Sequence, residues 1–203
     1  MSERSKDALI LMVKNPVAGK VKTRLAKDLG NEQALEVYQA LLQQTAKVAS
    51  EVPADRFVFY SDVVDRNDLF RQELFRKYTQ CGGDLGVRME YAFSIPFKNE
   101  YKRAVIIGAD CPDLDAATIS EAFSRLDDHD FVLGPAADGG YYLLGMKKWH
   151  RWMFAGQPWS QPELLESTRQ TIGSHNMTLA ELKTLNDIDT LEDLRQSTFS
   201  HLS

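Results

Sequence analysis

Short apolar runs alternate with segments of helical period along most of this chain, and that alternation limits the possible folds more than any other feature. ALILMV (8–13), RFVFY (56–60), RAVIIG (103–108), DFVLG (130–134) and YYLLGM (141–146) have the length and apolar content of buried strands. Amphipathic segments lie between them. NEQALEVYQALLQQTAKVAS sets Ala34, Val37, Tyr38, Leu41, Leu42, Thr45 and Val48 at spacings of three and four, which is one face of a helix. A charged helical stretch is expected over 65–78. Further helices are expected over 84–97, with Asp84 as N-cap and Pro96 near the end, and over 115–126, capped by Asp115. A helix over 161–173, a strand over 177–183 and a closing helix opened by Thr190 complete the pattern. Thr190 with Asp193 spells a T-x-x-D capping box.

Strands that alternate with helices call for an α/β fold. The expectation is a single Rossmann-like domain over 1–203, a mainly parallel twisted sheet flanked by helices. The short PAADGG connection between two strands adds a small antiparallel element. Composition agrees with a folded chain, at 43% hydrophobic and 26% charged residues. With 29 acids against 24 bases the net charge is -5, which argues against nucleic acid as a partner. Cys81 and Cys111 form no C-x-x-C pair, so neither a disulfide framework nor a thiolate zinc site is indicated, and packing suits Cys111 better than a nucleophile's role. No run approaches the ~18 apolar residues of a membrane span. The opening MSERSKD lacks the apolar region of a signal peptide, so a cytoplasmic protein is expected. Four scattered histidines form no ligand pattern.

In α/β sheets, ligands bind beyond the carboxyl ends of strands, and three loops there carry unusual chemistry. KNPVAGKVKTRLAKDLG follows the first strand and gathers Lys14, Lys20, Lys22, Arg24 and Lys27 around Pro16 and Gly19. Cations beside a glycine suit a phosphate chain, because backbone N–H groups can approach while the charges neutralise oxygens. Neither G-x-x-x-x-G-K-[ST] nor G-x-G-x-x-G is present, and a solvated basic loop accounts for the same residues. The second loop, IIGADCPDL, puts Asp110 and Asp113 behind a strand. Carboxylates there suit Mg2+ or Mn2+ shared with substrate phosphates. Asp113-Leu114-Asp115 reads literally as D-x-D, but Asp115 is better spent on its helix cap. The third loop, GPAADGGYYLLGM, offers Asp138, Gly139, Gly140 and Tyr141, although a plain hairpin turn explains D-G-G equally well. Asp187 and Asp189 exceed what the last helix cap needs, so one of them is expected to reach a metal across the site. Trp149, Trp152 and Trp159 suit a core or subunit contact, or an acceptor pocket.

Taken in order, K-x-P-x-x-G-x-x-K-T-R-L, G-G-D-L-G-x-R-M, I-G-A-D-C-P-D-L, G-P-A-A-D-G-G-Y-Y-L-L-G and D-I-D-T-x-E-D-L span residues 14 to 194. This series resembles bacterial glycosyltransferase-like proteins of the GT-A, or nucleotide-diphospho-sugar transferase, fold, a family related to the phospholactate guanylyltransferases. The resemblance implies a metal-dependent transferase with a nucleotide or nucleotide-sugar substrate and an unknown acceptor. It implies nucleotide contacts at Lys14, Pro16, Gly19, Lys22 and Arg24, and base or ribose contacts at Gly83, Asp84 and Leu85. Catalysis would fall to Asp110, Arg24 and Lys22, and metal binding to Asp110, Asp113 and Asp189. Asp138, Gly139, Gly140 and Tyr141 would face the sugar or acceptor. Glycosyl transfer from an NDP-sugar is the preferred expectation, with nucleotidyl transfer from an NTP, or nucleotide binding without catalysis, as alternatives. Oligomeric state is open.

Overall fold

A computed structural model describes residues 7–203. Most of the opening segment that was read for a signal peptide, residues 1–6, lies outside that range. The described chain forms one seven-stranded sheet from β1 (Asp7–Val13), β2 (Asp55–Tyr60), β3 (Phe75–Thr79), β4 (Arg103–Ile107), β5 (Phe131–Pro135), β6 (Tyr141–Met146) and β7 (Leu179–Glu181). Their order across the sheet is β3-β2-β1-β4-β6-β5-β7. β1 pairs in parallel with β2 and β4, β2 with β3, and β5 with β7; only β6 runs against its neighbours. The expected α/β architecture, with one antiparallel element in a parallel sheet, is borne out.

The helices are α1 (Ala26–Leu29), α2 (Asn31–Glu51), α3 (Leu85–Lys98), α4 (Ala116–Asp128), α5 (Leu164–Ser174) and α6 (Leu191–Gln196), with short 3-10 turns at Arg151–Phe154 and Ser200–Leu202. Caps stand where the sequence placed them. The Asp84 side chain accepts from Val87 N at 2.9 Å, and that of Asp115 from Thr118 N at 2.7 Å. Thr190 and Asp193 close a full capping box on α6. Each such cap is worth about 1 kcal/mol.

Alternation along β1 divides the core into two layers. Leu9, Leu11 and Val13 face α2 and α4, where they meet Tyr38, Leu42, Ile119 and Phe123. Ala8 and Ile10 face α3, α5 and the first 3-10 turn, where they meet Met89, Phe93, Phe154 and Ile172. A third cluster joins the two ends of the described chain: Leu25, Ala34, Val37 and Leu41 pack on Ile188 and Leu194. No helix among the described residues is long and apolar enough to cross a membrane.

One sequence expectation fails. Residues 65–78 are not helical; they form a turn-rich segment that leads into β3. The charges that suggested a helix face are satisfied tertiarily instead. Lys77 donates to Asp68 at 2.6 Å and to the carbonyl of Asp65 at 2.7 Å, and Arg76 reaches Asp55 at 3.4 Å. β3 is an edge strand, and edge strands tolerate such charges because one side has no neighbour to exclude them.

Candidate active site

The sheet order reverses direction between β1 and β4, and such a switch point opens a crevice beyond the strand ends. A cleft of about 760 Å³ lies there. Because β6 is antiparallel, its first residues, Tyr141 to Leu144, lie at the same end as the last residues of β4 and line the cleft with them.

The loop after β1 supplies the cations. Lys14, Lys20, Lys22, Thr23 and Arg24 all line the cleft. Tyr38 of α2 fixes the start of this loop: its hydroxyl accepts from Lys14 N at 2.8 Å and donates to Lys14 O at 3.1 Å. Asn15 ties the loop to the segment behind β2, accepting from Asp62 N at 3.0 Å and donating to Val63 O at 2.8 Å. Gly19 turns the chain at φ +76°, a conformation that suits glycine. Pro16 and Gly19 thus shape the loop without lining the cleft.

Lys22 adopts φ +46°, in the left-handed region that a side chain rarely enters. Its side chain is only 3% exposed. The ammonium pairs with Asp110 Oδ1, donates to the carbonyl of Ile188 at 2.6 Å and reaches Asp189 Oδ1 at 3.4 Å. Burial opposes its charge, but Asp110, through charge and hydrogen bond, together with Asp189 and Asp187, outweighs burial and raises its pKa overall. Arg24, by contrast, is 69% exposed and pairs with Asp189 Oδ2 at 3.2 Å.

Ile188 also donates its N–H to the carbonyl of Asp110 at 3.0 Å, so the segment before α6 is laced to the loop behind β4. The apolar packing of Ile188 and Leu194 on Leu25 and Leu41 holds it there. Asp187, beside it, has its carboxyl pushed up to about 7, by burial first and then by Asp110 and Asp138; Lys22 opposes the rise and Asp189 adds to it.

The remaining expected residues divide clearly. Leu85 lines the cleft at the start of α3, whereas Gly83 and Asp84 do not; the Asp84 carboxylate is committed to its cap. Tyr141 lines the cleft with its hydroxyl buried. Asp138, Gly139 and Gly140 are not among the lining residues. Asp138 Oδ1 accepts from Gly140 N at 2.9 Å, and Gly139 sits at φ +90° against Pro162, whose carbonyl a Cβ would strike. Asp113 is exposed and accepts from Thr198 Oγ1 at 3.4 Å, away from the cleft, because Pro112 and the start of α4 turn it toward the C-terminal segment. Cys111 is buried, its thiol pushed up to about 12, chiefly by burial. Trp149 and Trp152 pack on the second core layer. Trp159 packs there too and also lines the cleft, lying against Gly86 of α3.

Asn15, Gln80, Arg88 and Ser160 line the cleft without having stood out in the sequence as site residues. Gln80 caps two strand ends, donating to Val13 O at 3.1 Å and Phe59 O at 3.0 Å. Arg88 lies one turn into α3, where a G-G-D-L-G-x-R series was the only available signal.

A divalent metal shared with substrate phosphates was expected on Asp110, Asp113 and Asp189, and in the protein without nucleotide those carboxylates have other partners. Among the described residues no three His, Cys, Asp or Glu side chains stand together to hold a metal ion. Asp113 faces elsewhere, and Asp110 and Asp189 are engaged by Lys22 and Arg24.

Residues 42–161 match the family described as an uncharacterized protein conserved in bacteria (DUF2064). The fold is similar, at TM-score 0.87 and 30% identity, to a Desulfovibrio desulfuricans G20 protein assigned to the nucleotide-diphospho-sugar transferases; the match covers 98% of this chain and 94% of that one. It is also similar to 4-diphosphocytidyl-2C-methyl-D-erythritol synthase from Anaerococcus prevotii DSM 20548, at TM-score 0.60 and 10% identity, over 97% and 96% of the two chains. A CMP:2-keto-3-deoxy-manno-octonic acid synthetase solved with CTP matches at TM-score 0.58 and 13% identity, over 95% and 96%. No curated protein matches. At the level of class, the sequence-based expectation of a transferase with this fold is borne out.

Proposed function

The chain belongs to the DUF2064 family of bacterial proteins, and we propose that its cleft is the active site of a transferase that moves a sugar from a nucleoside diphosphate to an acceptor. The observation that carries this reading is the convergence of Lys14, Lys20 and Arg24 with Asp110 where β1 and β4 lie side by side. When an acceptor attacks the anomeric carbon, the bond from that carbon to the β-phosphate oxygen breaks. The electron pair leaves with the nucleoside diphosphate. Cations already in place lower the barrier by meeting that charge as it develops. Arg24, on the open side of its ion pair, can offer a two-pronged contact to a phosphate. Asp110 is half-exposed within the cleft, and its carboxylate can take the proton of an attacking hydroxyl.

Nucleotidyl transfer is the second reading, and one observation favours it. Among the described residues none of Lys14, Lys20 and Arg88 forms an ion pair, so with Arg24 four cations besides Lys22 line the cleft, a charge that suits a triphosphate. In that case the acceptor's phosphate attacks the α-phosphorus and pyrophosphate leaves. The Anaerococcus synthase and the CTP-bound synthetase of the same fold fit this alternative.

Thermal shift and calorimetry with NDP-sugars and NTPs test both readings. Binding followed by release of a nucleoside diphosphate supports glycosyl transfer, and release of pyrophosphate supports nucleotidyl transfer. Asp110→Asn is expected to abolish turnover in a folded protein. Failure of every nucleotide to bind at millimolar concentration would remove the proposal.

A further inference from the structure

We infer that Lys22 is a built-in cation that takes the place a resident divalent metal would have in this cleft. An ammonium has three N–H donors and no more. Lys22 directs them at three oxygens, Asp110 Oδ1, the Ile188 carbonyl and Asp189 Oδ1. That is the oxygen set a hard divalent ion would seek: two carboxylates from separate loops and a backbone carbonyl. The lysine reaches them from a side chain that is almost wholly buried and a backbone held at positive φ. Strain of that kind persists only where the surroundings impose it. Lys22 is therefore a positioning residue. It neutralises Asp110, fastens the segment that carries Asp189, and has no donor left over for a phosphate.

Two consequences follow. Phosphate contacts from this loop fall to Lys14, Lys20 and Arg24, its cleft-lining cations whose donors are wholly or partly open. A divalent ion can enter only on the phosphate oxygens of a substrate, since its protein ligands are already occupied. This inference stands apart from the proposed reaction, because it concerns the protein without nucleotide.

Mn2+ binding measured by electron paramagnetic resonance on the nucleotide-free protein tests it. The wild type is expected to leave Mn2+ free in solution at millimolar concentration. Lys22→Met and Lys22→Gln are expected to bind one Mn2+ per chain, tightened by about tenfold or more, because a positive charge has left a pair of carboxylates. Adding Asp110→Asn to either variant should abolish that gain. Stoichiometric binding by the wild type overturns the inference, whether or not the Lys22 variants fold. So does a folded Lys22 variant that gains no Mn2+, or a double variant that keeps it.

Discussion

The loop behind β1 and the turn between β5 and β6 look alike as sequence: each sets charge beside glycine at the end of a strand. In the folded protein they diverge. The first loop anchors its backbone on partners from elsewhere, Tyr38 and the segment behind β2, and so leaves Lys14, Lys20 and Arg24 to line the cleft. The second uses its distinctive groups on itself and its neighbour: the Asp138 carboxylate holds Gly140, and Gly139 lies against Pro162. The difference teaches that a motif's side chains reach a ligand only where other residues satisfy the local backbone.

Four substitutions can break or sharpen that contrast. Gly139→Ala is expected to cost the most, roughly 3 kcal/mol of stability, because a Cβ is strained at φ +90° and collides with Pro162. Chemical denaturation should show this loss, while nucleotide affinity per folded molecule stays unchanged; a selective loss of affinity would give the turn a ligand role after all. Arg24→Ala should weaken nucleotide binding by roughly 1.5–3 kcal/mol, the range for a charged hydrogen bond, without lowering the melting temperature. Equal affinities by calorimetry would erase the distinction between the two loops.

The third concerns pH. Asp187 has its folded pKa raised to about 7, against an ordinary value of about 3.9, so between those values the folded state holds the extra proton. Its contribution to stability is thus fully present below about pH 4 and is lost as pH rises through about 7. Asp187→Asn should remove that slope, gaining on the order of 1 kcal/mol over the wild type at pH 8 and little at pH 4. Parallel urea titrations at the two pH values check it, and an identical gap at both would deny Asp187 its proton. The smallest effect is expected from Asp138→Ala, about 1 kcal/mol or less for one hydrogen bond to Gly140 N, with affinity intact.

The strands at 8–13, 56–60, 103–108, 130–134 and 141–146 were legible because buried strands in a mainly parallel sheet are apolar on both faces, as their almost unbroken burial shows. β3 was not legible, because its edge position lets Arg76 and Lys77 interrupt the pattern with partners outside the strand, Asp55 and Asp68. In the site, the cationic loop and Asp110 could be picked out from their positions behind strands. The direction of each carboxylate could not. Asp84, Asp113 and Asp138 look as suitable as Asp110 on spacing alone, and hydrogen bonds to Val87, Thr198 and Gly140 draw them elsewhere. The arrival of Asp189 depends on the packing of Leu25 with Ile188 and Leu194, a contact that no local pattern announces.

Lys22 and the carbonyl that receives its proton donor are 166 positions apart. During synthesis, β1 through β7 will all have left the ribosome before Ile188 emerges. A nascent chain can therefore assemble its sheet while the pocket still lacks one wall, and the proposed nucleotide can be captured only after translation has passed that point.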